Sequence, residues 1–188
     1  MSWYEKILKG KPGDETASFK MEESANLKWI ANTTVNNSYQ LIEDNRTIGS
    51  LVFPKGIRKF AFGNIYGMKF KIQKHWLYRN RILIEQTGVI NKLYMKITDF
   101  HKSGVIKIDN SSFFWNCFKK LANEWAFSNE RGKKLIVLKP VTSFYKSGYF
   151  VKIRSIETDK RSIAVLLLLG IYNLIITSDE IGIASTFI

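Results

Sequence analysis

Residues Ser162–Ile176 read Ser-Ile-Ala-Val-Leu-Leu-Leu-Leu-Gly-Ile-Tyr-Asn-Leu-Ile-Ile, with Thr158-Asp159-Lys160-Arg161 before them and Thr177-Ser178-Asp179-Glu180 after. Four consecutive leucines and Ala164 favour helix over strand, and Thr158 or Asp159 can cap the first amide groups. A helix that is apolar all round has no face to offer to water, so protein or lipid has to enclose it. At fifteen residues it spans roughly 23 Å, short of a hydrocarbon core of about 30 Å, and Asn173 would sit in lipid near one end. Enclosure by the rest of the chain is the expected solution, with the helix at 160–176.

The rest of the chain has the material for a wrapping. From Leu27 onward, short β-branched and aromatic runs are separated by Gly, Asn, Asp and Ser, as in a series of short strands. Strands are expected at 27–31, 38–43, 47–53, 59–62, 68–73, 76–78, 81–86, 93–98, 105–109, 112–115, 124–128, 134–139 and 149–154. Alternation puts Met68, Phe70 and Ile72 on one face and Lys69, Lys71 and Gln73 on the other. It sets Leu93, Met95 and Ile97 against Tyr94, Lys96 and Thr98, and by the same reading Phe60, Phe62 and Phe70 face inward. Gly88, Gly104, Gly132 and Gly148 read as turn glycines, Gly56, Gly63 and Gly67 as hairpin punctuation, and 116–123 as a helical turn with Phe118 and Leu121 inward.

The expected fold is therefore mainly β: a closed barrel of about twelve short, mostly antiparallel strands around a buried hydrophobic C-terminal helix of about 10 Å diameter. A chain of 188 residues suits one such domain. Residues 1–26 read as an appendage in which Trp3 and Ile7 are spaced for a short amphipathic helix, 27–176 as the barrel with its helix, and 177–188 as a tail.

Three stretches carry a resemblance. They are Tyr66-Gly-Met-Lys-Phe-Lys-Ile with Arg81-Ile-Leu-Ile-Glu, then Glu124-Trp-Ala-Phe-Ser-Asn with Lys134-Leu-Ile-Val-Leu, and Ile163-Ala-Val-Leu-Leu-Leu-Leu-Gly-Ile-Tyr. In order and hydrophobicity they resemble the tubby C-terminal-like superfamily, which includes LURP-one-related proteins and phospholipid scramblases. That resemblance implies a strand barrel around a hydrophobic C-terminal helix and action on phosphoinositides or at membranes. No phosphate-binding motif aligns, so it transfers no individual site residue.

Charge supplies the functional clue. The net charge is +13, enough to attract nucleic acid or anionic head groups. Nine basic residues and no Asp or Glu occupy 46–84. Arg46 opens the block, and Lys55, Arg58, Lys59, Lys69, Lys71, Lys74, Arg79 and Arg81 are the candidate anion-binding residues, centred on Lys69, Lys71, Arg79 and Arg81. The favoured partner is phosphoinositide or an anionic membrane surface. The inward phenylalanines weigh against nucleic acid, which needs exposed rings, and an acidic protein would use the same charge.

Catalytic chemistry finds little footing. His75 and His101 are the two histidines, Cys117 is the one cysteine, and neither a nucleophile elbow nor a phosphate-cradling glycine motif is present. Asp99 and His101 share a strand face, with Asp99 more simply a turn residue. Two isolated histidines and one cysteine fall short of a metal ligand set, and no cofactor is expected. The lone thiol and the charged N-terminus, which lacks a signal-peptide apolar run, predict a cytoplasmic protein, peripheral to a membrane if lipid is the partner.

Overall fold

The computed structural model describes residues 26–32, 37–54, 60–75, 80–98, 103–119, 123–141, 148–154 and 158–185. The expected segments 1–25 and 76–78, and Asp99 and His101, lie outside these residues. Twelve strands run β1 Leu27–Ala31, β2 Ser38–Glu43, β3 Arg46–Val52, β4 Phe60–Ile65, β5 Met68–Lys74, β6 Arg81–Gln86, β7 Leu93–Thr98, β8 Ser103–Ile108, β9 Ser111–Lys119, β10 Glu124–Ser128, β11 Lys134–Pro140 and β12 Gly148–Ile153. One helix among the described residues, α1 Lys160–Ser185, follows. Each strand pairs antiparallel with its neighbours in sequence, and β1 pairs with β12 to close the barrel.

The helix fills the lumen. Every side chain from Ser162 to Ile176 is buried, and the Asp159 Oδ1 caps the helix by accepting from the Ser162 N–H at 2.9 Å. The stretch Lys160–Thr177 is long and apolar enough to cross a membrane, but 83% of it is buried inside the protein. The strands supply the wrapping, with Leu41, Leu51, Ile65, Ile72, Ile84 and Ile106 fully enclosed. Aromatic rings fill the wider gaps: Trp115 stacks on Trp125 at 5.2 Å, and Phe53 stacks on Tyr172 of the helix at 5.8 Å.

The helix continues to Ser185, past the boundary expected at 176. Thr177 does not stop it, because its hydroxyl donates to the Asn173 carbonyl at 2.7 Å, one turn back, and is satisfied without leaving the helix. The stretch expected as a helical turn is also different. Strand β9 runs on through Lys119, and Phe118 is exposed, carrying the Lys134 ammonium 4.0 Å above its ring.

At one pole of the barrel the hairpins turn tightly: Asp44 and Asn45 have φ of 42° and 69°, and Tyr66 and Gly67 have 51° and 80°. Two successive positive φ values match the twist of antiparallel strands. The helix N-terminus lies here as well, where Arg161 donates from Nε to Gln86 Oε1 at 2.9 Å and forms an ion pair with Asp109 at 3.3 Å.

Strand β4 corrects the expected orientation of its phenylalanines. Ala61, Gly63 and Ile65 face the lumen, while Phe62 is 51% exposed and Phe60 half-buried on the outside; only Phe70, on β5, points in. The cause is the helix. A Cβ on Gly63 would stand 2.6 Å from Leu168 Cδ2, so the inner wall of β4 has room for Ala and Gly and none for Phe. Gly63, Gly104 and Gly148 are likewise strand residues, not turn residues, and a Cβ on Gly104 would come within 2.8 Å of Met95.

Candidate binding surface

Strand register decides which cations meet. On β5, Lys69 and Lys71 point outward with Gln73, while Lys74 takes the inward-facing parity of Phe70 and Ile72 and is half-buried opposite Ile82. Lys74 therefore leaves the outer face on which the block was expected to gather. Arg81 points outward on β6. Lys55, Arg58, Lys59 and Arg79 lie outside the described residues.

Lys71 faces Glu85 across β5 and β6, and Arg81 is four residues further along β6, about 14 Å away. Arg81 thus belongs to a second group. Its cross-strand partner is Lys96 on β7, so two cations oppose each other directly. On β8, Lys107 also points out, next to exposed Tyr94 of β7. Strands β4 to β8 carry six cations, Lys69, Lys71, Lys74, Arg81, Lys96 and Lys107, against one carboxylate, Glu85.

Glu85 is heavily used. It takes Lys92 at 2.7 Å and Lys71 at 3.9 Å, and the hydrogen bond from Lys92 raises that ammonium above its ordinary range. Lys69, Lys96 and Lys107 are exposed and make no ion pair among the described residues. Their charges remain available to a partner.

Rings lie beside these cations. Phe60 and Phe62 pack edge to face at 4.7 Å, and the Lys71 ammonium is 5.2 Å from the Phe60 ring centre. Val52, 37% exposed, faces Phe62 across β3 and β4, and Phe114 of β9 faces Val105. The outer wall from β4 to β8 is thus a mixed field of rings and positive charge.

Carboxylates collect elsewhere. Glu124 on β10 is buried between Lys139 at 3.2 Å and Lys134 at 3.7 Å. At the turn pole a polar cavity of about 380 Å³ is lined by Asn110, Ser112, Phe113, Glu130, Arg131 and Asp159 among others. Its acids already serve the fold: Glu130 accepts from the Ser112 N–H at 3.2 Å, and Asp159 caps the helix. Cys117 is half-buried, and among the described residues no three of His, Cys, Asp and Glu gather to hold a metal ion.

Sequence reasoning missed Lys96, Lys107 and the outward phenylalanines. Alternation had already set Lys96 outside, but its meeting with Arg81 depends on the register of β6 against β7. Comparison with known proteins finds no matching family model, curated protein or solved structure.

Proposed function

We propose that the protein is a non-enzymatic binding domain whose outer wall over β4 to β8 engages an anionic, phosphate-bearing partner. The observation that carries this reading is the ratio of five outward cations, Lys69, Lys71, Arg81, Lys96 and Lys107, to one carboxylate on these five strands, with Lys69, Lys96 and Lys107 exposed and unneutralised among the described residues. Clustered Lys and Arg each contribute on the order of 1 kcal/mol near an anionic surface.

The twelve-strand wall around a C-terminal helix supports the resemblance to the tubby C-terminal-like superfamily. Through that resemblance phosphoinositide or an anionic membrane in a cytoplasmic setting is one candidate partner. A specific observation favours a second. Phe62 lies outside next to Lys71, so the exposed ring that a nucleic-acid surface requires is present.

The test compares vesicles with and without anionic lipid, and labelled oligonucleotides, at low and high salt. Binding to at least one anion that weakens with salt is expected. Failure to bind any of these anions at low salt would remove the reading.

A further inference from the structure

We infer that the outer wall from β4 to β8 binds a single strand of nucleic acid that wraps across the β-strands, with phosphates on Lys71, Lys96 and Lys107 and bases on Phe62 and Tyr94. This rests on the anion-binding reading above and narrows it to one partner.

Curvature separates the possible anions. Twelve strands close one full turn, so neighbouring outward directions differ by about 30° on average, and β4 and β8 by about 120°. A flat bilayer touches such a cylinder along roughly two or three strands. It can meet Lys69 and Lys71 on β5, or Lys107 on β8, without meeting Phe62 and Lys107 together. A duplex is stiff over about 50 nm and meets the same limit. A flexible strand follows the curve and reaches all of them.

Ring exposure separates the flexible polyanions from one another. Phe62 is 51% and Tyr94 46% exposed, three strands apart, or about 14 Å along the wall. Each has a cation at hand: Lys71 is the cross-strand partner of Phe62, and Lys107 falls opposite Tyr94 when the Met95–Ile106 register is carried one residue further. An exposed ring adds nothing for polyphosphate or an acidic polysaccharide, but it stacks on a base of any sequence. Ring and cation thus alternate on β4 and β5 and again on β7 and β8, on either side of the Glu85 that Lys92 holds on β6, which fits a strand that presents both bases and phosphates.

The experiment titrates the protein into a labelled single-stranded oligonucleotide of about 16 nucleotides, the upper end of what one small barrel covers. The duplex of the same length and vesicles containing phosphatidylserine or a phosphoinositide are run beside it. The single strand is expected to bind tightest, with log affinity falling against log salt by about 0.7 per phosphate contacted. Lys96→Ala and Lys107→Ala should each reduce that slope by about one contact. Phe62→Ala and Tyr94→Ala should each weaken single-strand binding roughly five- to hundred-fold without changing the slope. All four residues are on the surface, and a urea midpoint for each variant verifies that the barrel is intact.

Equal or tighter binding to duplex or vesicles would overturn the single-strand inference while leaving an anion-binding wall in place. Unchanged affinity in both ring variants would do the same. Absence of binding to every anion at low salt would remove both.

Discussion

Gly63 on β4 and Leu168 on α1 approach so closely that a single added carbon on the glycine would overlap the leucine methyl groups. The contact sets the direction of β4 and, through it, the chemistry of the outer wall.

Gly63→Ala is expected to destabilise the barrel by about 1–3 kcal/mol through overpacking. Leu168→Ala alone should cost about 2–5 kcal/mol by leaving a cavity. In the double variant the new methyl occupies part of that cavity, so the combined loss should be smaller than the sum. Urea denaturation of the four proteins measures this, and strict additivity would show that the two positions do not touch.

Much of this is legible in the sequence. The helix announces itself because a run of apolar residues inside polar brackets permits one environment, and β5 and β7 announce their faces because charge and apolarity alternate cleanly. β4 is different. Phe60, Ala61, Phe62 and Ile65 put apolar residues on both faces, so alternation alone permits either orientation, and the choice falls to how near the helix passes. The grouping of Arg81 with Lys96 is hidden for another reason: cross-strand register follows from turn length, and the spacing of cations in sequence says nothing about which cation stands opposite which.

Lys96→Glu separates fold from function. The substitution exchanges a like-charge pair with Arg81 for an opposite-charge pair, which should hold or raise stability by roughly 0.2–1 kcal/mol. Anion binding should fall in the same protein. A thermal melt and a binding titration on one sample report both, and a large loss of stability would contradict the register.

Phe62→Ser probes the outward phenylalanine. Half of that ring is already in water, so stability should change by no more than about 0.5 kcal/mol, as at ordinary surface sites. Were the ring part of the core, the same change would cost several times more. Chemical denaturation distinguishes the two.

Tyr66 provides a pH signature. Burial, with a smaller contribution from the Glu43 carboxylate, pushes its phenol up to about 12 from 10.0. Below pH 10 the phenol is protonated in folded and unfolded chains alike, so its contribution is complete there. As the pH rises from 10 toward 12 the unfolded chain ionises first, and stability is lost over that window. Tyr66→Phe should show a shallower alkaline loss, read as the difference between the two stability curves from pH 9 to 12.

Asp159→Ala removes the acceptor for the Ser162 N–H and should cost about 0.5–2 kcal/mol, measured by urea denaturation. Asp159→Asn keeps an acceptor oxygen and should recover most of the loss.

The order of elements has a consequence for synthesis. All twelve strands precede α1 in the chain, so a ribosome delivers the innermost piece last. A nascent chain that has emerged through β12 can zip neighbouring hairpins together, but it has nothing to seal around, and its inner leucine and isoleucine faces stay exposed until α1 arrives. During that interval the half-built wall depends on chaperones or on speed, and slowing translation just before Lys160 should raise aggregation more than slowing it anywhere upstream.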